Sequence, residues 1–383
     1  MVESGFRSAV STGIGRIQRD RFDYFLLSIV MILVGAGVLM IYSTSYIFAL
    51  KQLGDGLCFL RRQLLFMGLG FVLCLVVAFL DYRLLSRYSG FILLGVVFLL
   101  ILVLIPGVGV RVGGSSRWLR AFGFSFQPTE LAKLAIVIVL ANYLAKTEGH
   151  PDDKARIMIP LGIAGVLAFL ILLEPDFGSA VMIGILLLLL WTIAGVNLKY
   201  VLGLGLLALP VLVGLVVFGH GYRMRRVMVF LNPWSDPEGS GFQIIQSFVA
   251  FAHGGFFGQG LGEGSQKLFF LPEAHTDFIF SVIGEELGFL GVVALLLLYL
   301  VFTQRGIRTA LKAPDLFASL MAFGIVIMVS FQALLNMGVV LGVLPTKGLT
   351  LPFISYGGTS LVVNLIGVGI LLSIGLHPHP SRK

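Results

Sequence analysis

The sequence predicts an all-α, polytopic membrane protein with ten transmembrane helices. Of its 383 residues, 57% are hydrophobic and only 12% are charged, and the mean hydropathy is +1.00. Apolar stretches of about 20 residues, the length that spans a bilayer, recur along the whole chain. These stretches are continuous rather than alternating in polarity, which is typical of membrane helices and not of membrane β-barrels. The composition therefore excludes a soluble globular protein.

Ten apolar segments follow a basic N-terminal tail. They lie at residues 24–45, 63–80, 88–106, 128–145, 157–173, 177–196, 200–218, 277–302, 315–343 and 356–376. Lysine and arginine are more frequent in the loops that share a side with the N-terminus, and such loops are cytoplasmic. We therefore expect both termini in the cytoplasm. The domain plan is a cytoplasmic tail (1–22), one membrane domain (23–376) and a cytoplasmic C-terminal tail (377–383), with a large extracytoplasmic loop (219–276) between helices 7 and 8.

The predicted extracytoplasmic face carries the loops with the most informative residues. They are Val108–Phe126, Glu174–Phe177, residues 219–276 and Leu344–Tyr356, all rich in polar residues, glycine, proline or aromatics. The predicted cytoplasmic loops are short and plain. Because loops carry function when a rigid scaffold positions them, we expect the active surface on the outer face.

Ser265–Phe289 is the stretch around which we expect the site to be organised. Thr276 and Asp277 suit the start of the helix that follows. One stripe of that helix is small and polar, namely Asp277, Ser281, Gly284, Glu285 and Gly288. A carboxylate at a membrane boundary is costly, and so it is a candidate functional group. Asp277 is either a general base at the mouth of a cavity or a cap for its own helix.

Two further charged sequences fall at helix boundaries. Within Gln127–Lys133, Glu130 and Lys133 form an i,i+3 pair, which is either a structural ion pair or a charged wall of a substrate cavity. In the turn at 174–178, Asp176 is either a turn former or a second cavity carboxylate, and the turn is the simpler interpretation.

Aromatic and basic residues near the outer boundary also have two interpretations each. Trp118 is either an interfacial anchor, the common role of tryptophan at this depth, or a platform for a sugar ring. Arg223, Arg225 and Arg226 either hold a diphosphate or contact phospholipid head groups. The glycine-rich loop at 254–264 lacks the GK[ST] of a P-loop, and we expect it to be flexible or re-entrant.

The sequence shows neither a histidine or cysteine metal site nor a basic cluster that would bind nucleic acid. The six histidines and two cysteines form no metal-ligand pattern. The basic residues are scattered rather than clustered, which argues against nucleic acid. The net charge of +8 instead suits a protein that faces anionic membrane lipids.

Six ordered motifs resemble those of the SEDS family (shape, elongation, division and sporulation), the membrane glycosyltransferases that polymerise peptidoglycan. They are GSSRWL at 114–119, FQPTELAK at 126–133, EPDFG at 174–178, NPWSDPEGSGFQIIQS at 232–247, QKLFFLPEAHTDFIFSVIGEELGF at 266–289 and LPTKGLTLPFISYGGTS at 344–360. The resemblance spans residues 20–376. Lys267 and Lys347 resemble the cell-division members more closely than the elongation members. Thr359 is a departure, because serine is usual there.

The resemblance implies a site and a reaction. It implies that Asp277 is the catalytic carboxylate. The substrate-binding residues expected from the motifs and the charge pattern are Trp118, Glu130, Lys133, Asp176, Arg223, Arg226, His275 and Lys347. The implied reaction is the inverting polymerisation of lipid II, with a growing glycan on undecaprenyl diphosphate as donor, for septal wall synthesis during cell division. A lipid II flippase, an elongation-type polymerase and a non-catalytic division scaffold are the alternatives.

The same resemblance implies the surroundings of the reaction. The partners are a class B penicillin-binding transpeptidase and other divisome membrane proteins, in the bacterial cytoplasmic (inner) membrane at the division septum. No cofactor is certain. The charge on the leaving diphosphate needs a cation, which Lys133, the three arginines at 223–226, or a divalent ion such as Mg²⁺ or Mn²⁺ would supply. Because both polyprenyl tails stay in lipid, we expect a cavity that opens sideways between helices.

Overall fold

The computed structural model describes residues 22–112, 115–121, 124–149, 153–217, 221–239, 241–267, 271–272, 274–346 and 348–377. Twelve α-helices lie within these residues. They are α1 (Tyr24–Leu53), α2 (Cys58–Phe79), α3 (Arg83–Leu104), α4 (Pro128–Lys146), α5 (Lys154–Leu173), α6 (Phe177–Ile193), α7 (Leu198–Val217), α8 (Gly221–Leu231), α9 (Phe242–Gly254), α10 (Ile279–Leu311), α11 (Leu316–Val340) and α12 (Gly358–Leu376). Each predicted apolar segment is helical, whereas α8 and α9 lie inside the predicted long loop. Most of the two predicted tails falls outside the described residues.

Eight of these helices are long and apolar enough to cross a membrane, namely α1–α5 and α10–α12. The apolar helices Phe177–Ile193 and Leu198–Pro210 are shorter. The chain is thus an α-helical, multi-pass membrane protein. The count of ten crossings and the orientation of the termini stay predictions.

Three helices form the interior of the bundle. In the most apolar window of α4, α12 and α11, 83%, 78% and 61% of residues are buried, against 22% in α2 and in α3. Helices α2 and α3 therefore present most of their surface to lipid. Glycine allows the helices to approach closely: a Cβ at Gly369 of α12 would lie only 2.5 Å from the carbonyl oxygen of Cys74 in α2. Small residues play this part at membrane helix interfaces because lipid provides no hydrophobic drive for association.

The predicted outer loop between α3 and α4 contains a small antiparallel sheet. Its strands are β1 (Gly109–Val112), β2 (Ser115–Ala121) and β3 (Phe124–Phe126), in the order β1-β2-β3. Val110 pairs with Trp118, and Leu119 pairs with Phe126. The sheet is an addition to the helical fold that the sequence did not indicate, because strands this short carry no measurable alternation of polarity.

Helix α10 begins two residues later than the sequence predicted. Thr276 and Asp277 lie in the preceding turn, and the N-cap is Phe278, which makes no side-chain capping bond. The physical reason is a pair of tertiary hydrogen bonds. The hydroxyl of Ser355 donates to the carbonyl oxygen of Thr276 at 2.5 Å, and Asn336 donates to that of Asp277 at 2.8 Å. These two carbonyl groups therefore bond to neighbouring segments instead of to the first turn of α10.

Helix α10 is also broken once, at Gly288, where φ is +65° and ψ is −164°. The glycine-rich loop docks on the break. The N–H groups of Gln259 and Gly260 donate to the carbonyl oxygens of Glu285 and Glu286, each at 3.0 Å, and the N–H of Phe289 donates back to the loop. Because this exchange satisfies backbone groups that the broken helix leaves unpaired, the loop is held against α10.

The polar stripe predicted on α10 packs against other parts of the outer region. The hydroxyl groups of Ser281 and Ser247 lie 2.8 Å apart and join α10 to α9. Glu285 accepts hydrogen bonds from the backbone N–H groups of Ser265 and Gln266 at 2.9 and 3.3 Å. Glutamates 285 and 286 are completely buried. The stripe below Asp277 is therefore structural.

Candidate active site

Segments from the predicted outer loops meet at one end of the bundle. The guanidinium of Arg226, on α8, donates to the carbonyl oxygen of Thr346 at 3.2 Å. On the other side of the same segment, a Cβ at Gly178 of α6 would lie 3.4 Å from the Leu349 side chain. The segment 344–356 is thus the central piece of this end, with α6, α8 and the turn before α10 around it.

Asp277 lies in that turn and is half-buried. Its carboxylate faces Gly348, because a Cβ built on Gly348 would lie 3.1 Å from Oδ2. Gly348 is exposed and carries no side chain. A glycine at this position lets the backbone lie close to the Asp277 carboxylate, because a side chain there would contact Oδ2. The partly exposed carboxylate remains the candidate general base of this end of the bundle.

The predicted Glu130–Lys133 pair is present and lies in the first turn of α4. The Lys133 Nζ is 2.6 Å from Oε1 of Glu130, and the two side chains are 1% and 8% exposed. Lys133 also donates to Oε1 of Gln332, on α11, at 2.6 Å. Removing either charge would leave the other buried without its partner, which is far more costly than losing a surface pair.

Two amide side chains of α11 connect this pair to the turn that holds Asp277. Gln332 Nε2 donates to the backbone oxygen of Thr350 at 3.0 Å, and Asn336 Nδ2 donates to that of Leu349 at 2.6 Å. Asn336 is also the donor to the Asp277 carbonyl oxygen. Lys133 and Asp277 are therefore connected through the hydrogen bonds of these two amides to the adjacent backbone groups of Leu349 and Thr350.

Asp176 is the N-cap of α6. Its Oδ1 accepts from the Ser179 N–H at 3.1 Å and its Oδ2 from the Ser179 hydroxyl at 2.8 Å. The interpretation of Asp176 as a turn former is confirmed. Through Gly178 and Leu349 the same turn touches the segment that runs beside Asp277.

Glu174 and Arg117 are the functional candidates of this turn that the sequence did not reveal. Arg117, on β2, donates to the carbonyl oxygens of Glu174 and Pro175 at 3.1 and 2.5 Å and so fastens the sheet to the turn. Glu174 is 1% exposed, and neither of its carboxylate oxygens has a hydrogen-bond partner among the residues that the structure describes. Burial, and to a smaller extent the nearby Asp176, raise the pKa of Glu174 to about 8, and Arg117 partly opposes this shift. Glu174 is therefore largely protonated at neutral pH.

The remaining predicted residues take different places. Trp118 is half-buried in β2, directly after Arg117. The ring of His275 packs 4.8 Å from that of Phe59 and 5.8 Å from that of Tyr356, so it belongs to an aromatic cluster between α1, α2 and the segment before α12. The side chain of Arg223 and the whole of Lys347 lie outside the described residues.

The amides of α11 were detectable in principle. Gln332 and Asn336 are spaced i,i+4 in a strongly apolar helix, and both are 2% exposed. Such a pair occupies one helix face. Polar groups at this position are expensive unless they find partners, so the spacing alone marks the face of α11 that meets the site.

An apolar cavity of about 550 Å³ lies between four of the membrane helices. It is lined by residues of α2, α3, α4 and α12, among them Val77, Phe91, Phe98, Leu131, Leu134 and Ile370. Phe91 and Phe98 are 72% and 62% exposed, so the rim of the cavity faces the lipid side of α3. Leu131, Leu134 and Ile138 share one face of α4, and this face lines the cavity.

In the described part of the chain, no group of three or more histidine, cysteine, aspartate or glutamate side chains is placed to hold a metal ion. A site built from protein ligands alone is therefore absent from these residues. Mg²⁺ in phosphate chemistry needs only one or two protein carboxylates, because substrate phosphates and water complete its shell.

A family model described as "Cell cycle protein", covering FtsW, RodA and SpoVE, matches residues 24–379. The chain belongs to the FtsW/RodA/SpoVE family. Its relative from Geobacter sp. (strain M18), named "Probable peptidoglycan glycosyltransferase FtsW", is 47% identical over 357 residues, which are 93% of this chain and 97% of that protein. The SEDS resemblance seen in the motifs is thereby confirmed.

Solved structures agree with this membership. A chain from a structure titled "Structural coordination of polymerization and crosslinking by a peptidoglycan synthase complex" matches with a TM-score of 0.76 and 34% identity, over 92% of this chain and 97% of that one. The crystal structure of the rod shape determining protein RodA from Thermus thermophilus matches with a TM-score of 0.69 and 31% identity, over 92% and 96%. The fold described above is thus the fold of the family.

Proposed function

We propose that this protein is a peptidoglycan glycosyltransferase that polymerises lipid II at the outer face of the cytoplasmic membrane. Family membership supports the activity, and one structural observation supports its site. The Asp277 carboxylate is half-buried beside an exposed glycine, at the polar end of an otherwise apolar bundle. A partly exposed carboxylate at this end of the bundle is suited to take a proton from a bound sugar hydroxyl.

In the proposed reaction the 4-hydroxyl of a GlcNAc unit of lipid II attacks the anomeric carbon of the growing glycan. A hydroxyl is a weak nucleophile at neutral pH, so a positioned base contributes about 10²–10⁴-fold. Asp277 accepts the hydroxyl proton as the new carbon–oxygen bond forms. The bond from the anomeric carbon to undecaprenyl diphosphate breaks, the diphosphate leaves with its electron pair, and the configuration inverts.

The departing diphosphate requires positive charge near Asp277. Among the residues that the structure describes, Arg226 places a positive charge beside Thr346, and Arg225 is exposed on the same helix. Lys133 is held between Glu130 and Gln332, so we assign it to the wall of the site. A divalent cation that arrives with the diphosphate would add charge stabilisation, and Asp277 with substrate oxygens fits its preference for oxygen ligands.

The apolar cavity beside α4 fits a polyprenyl chain. Its 550 Å³ lies within the range of lipid-sized pockets, and its lining is almost wholly apolar. A chain bound there would enter from the lipid side past Phe91 and Phe98 and lie against Leu131 and Leu134 of α4. This arrangement keeps the lipid tail in a hydrocarbon environment while its head group reaches the polar site.

The test is polymer formation by the purified protein in liposomes that contain labelled lipid II. We expect wild-type protein to produce glycan strands, with its transpeptidase partner present if activity requires it. Asp277→Asn, purified as a folded membrane protein, should produce none. Asp55→Asn is the matched control, because the Asp55 side chain is 45% exposed and its partners are the exposed Arg61 and the backbone N–H of Leu57. Equal polymer from both variants would refute the role of Asp277.

The same liposomes separate polymerisation from lipid flipping. If the protein moves lipid II across the bilayer without lengthening it, the flippase alternative replaces the proposal. The buried Glu130–Lys133 pair is the feature that a transporter would share. Glycan strands whose formation requires Asp277 would instead support the polymerase.

We further propose that the protein acts in septal wall synthesis beside a class B penicillin-binding transpeptidase and other divisome proteins. The curated FtsW names of the relatives and the synthase complex among the structural matches support this role. Co-purification with the transpeptidase and loss of septation on depletion are the expected results. Loss of rod shape with normal septa would instead indicate an elongation role.

A further inference from the structure

Two buried amides of α11 stand between the ion pair of α4 and the turn that carries Asp277. Gln332 and Asn336 are one helical turn apart, and each is 2% exposed. Neither side chain is explained by helix packing, because an apolar residue would fill the same space at lower cost. The hydrogen bonds of the two amides therefore indicate their role.

Asn336 uses its amide nitrogen on two backbone carbonyl groups from different segments. Nδ2 donates to the oxygen of Asp277 at 2.8 Å and to that of Leu349 at 2.6 Å. A side-chain amide has two N–H donors, so both are used. The contact fixes the backbone of the Asp277 turn relative to the segment that faces the Asp277 carboxylate.

Gln332 makes the equivalent connection one turn earlier. Its Oε1 accepts from Lys133 Nζ at 2.6 Å, and its Nε2 donates to the Thr350 backbone oxygen at 3.0 Å. Thr350 in turn donates through its hydroxyl to Ser360 at the start of α12, at 3.1 Å. The backbone at 349–350 is thus held from α11 on one side and from α12 on the other.

We propose that Gln332 and Asn336 are positioning residues that set the location of Asp277 through the backbone of Leu349–Thr350. The inference deepens the proposed polymerase and rests on Asp277 as its base. Both amides act on backbone groups, so neither is a catalytic residue in the sense of touching the reacting atoms. A displacement of about 1 Å at a reacting group costs on the order of 10²-fold in rate.

The first test compares Asn336→Ala with Asn142→Ala. Asn142 is the matched control, because it is a buried amide of α4 that bonds to Ser86 and Ser89 of α3 at 3.2 and 2.7 Å, far from Asp277 along the chain. We expect Asn336→Ala to lower kcat by about 10²-fold with KM nearly unchanged. Asn142→Ala should lose similar thermal stability and keep its kcat. Equal kcat in the two variants would overturn the proposal.

The second test uses Asn336→Asp and the pH dependence of the rate. An ionised aspartate has no donor for either carbonyl group, whereas a protonated one has one. The charged groups around it are Asp277 itself, the Glu130–Lys133 pair reached through Gln332, and Asp176 across Leu349. The ratio of the Asn336→Asp rate to the Asn336→Ala rate should rise as the pH falls. A ratio that stays constant with pH would contradict a role through hydrogen bonding.

The two proposals fail in distinguishable ways. If Asp277→Asn retains polymerisation, the base assignment fails, and the positioning role fails with it. If Asp277→Asn is inactive while Asn336→Ala keeps the wild-type kcat, only the positioning role is refuted. Gln332→Met tests the second amide in the same way, and we expect it to lower kcat as well.

Discussion

Loss of Lys267 should destabilise the protein more than loss of any exposed cation, because its partner Glu286 is completely buried. The Lys267 Nζ lies 2.7 Å from Oε1 of Glu286 and donates to Ser43 Oγ at 2.9 Å and to the Gly262 carbonyl oxygen at 2.6 Å. The two side chains are 4% and 0% exposed. Lys267→Met leaves the Glu286 carboxylate buried without a counter-charge, which costs about 3–5 kcal/mol.

The assay is unfolding of the detergent-solubilised protein, with protease sensitivity of residues 255–267 as a local readout. Arg61→Met is the control: Arg61 and Asp55 are 67% and 45% exposed, and such pairs contribute about 0–1 kcal/mol. The double variant Lys267→Met with Glu286→Gln should recover a large part of the loss, because no uncompensated charge remains. The reasoning is refuted if Lys267→Met costs no more than Arg61→Met, or if the double variant is less stable than the single one.

Three further predictions concern the segments around the site. Gly258→Ala should destabilise the docked loop strongly, because φ is +82° and a Cβ would overlap a backbone carbonyl group of α10. Gly54→Ala, in the left-handed C-cap of α1 with φ of +73° and no described atom within 4 Å, should cost only about 1–2 kcal/mol, and unfolding measurements compare the two variants. The pKa of Glu174 is raised to about 8 from 4.5, so this group favours folding when it is protonated. Its contribution to stability is lost as the pH rises through 8. Glu174→Gln should therefore flatten the fall in melting temperature between about pH 5 and 8. Arg117→Ala removes both hydrogen bonds to the turn at 174–175 and should cost roughly 2–4 kcal/mol of stability. Arg117→Lys should recover only part of this stability, because lysine lacks the planar guanidinium fork. Equal stability of the two variants would contradict the argument.

The membrane helices could be predicted closely from the sequence because the bilayer fixes them. A span needs a long apolar run, and every backbone group must bond within its own helix. The α4 start at Pro128 and the α6 cap at Asp176 also followed from local chemistry, since proline and aspartate act within one turn of the chain.

The break in α10 could not be predicted in this way. Gly288 leaves the helical conformation where a loop some thirty residues earlier, at 255–260, supplies the missing hydrogen bonds. Glycine is common in membrane helices and by itself does not identify a break. The start of α10 at Ile279 was missed for the same reason, because the partners of Thr276 and Asp277 come from distant segments.

The residues of the candidate site also separate into those with local partners, which the sequence predicted, and those with distant partners, which it did not. The Glu130–Lys133 pair was predictable because its two members are one turn apart on one helix. Arg117 was not predictable, because it binds backbone carbonyl groups 57 and 58 positions away. The spacing of Asn336 and Gln332 marks a polar face of α11, but the contact of Asn336 with Asp277, 59 positions away, could not be read from it. A backbone oxygen has no identity in a sequence, so such contacts become visible only when the chain is folded.

The most direct measurement of the central claim is the binding and turnover of labelled lipid II by one preparation of Asp277→Asn in nanodiscs. The account predicts that binding stays at the wild-type level while strand formation falls by at least about 10²-fold, because the base is lost and the cavity is not. Strand formation at the wild-type rate would contradict the account.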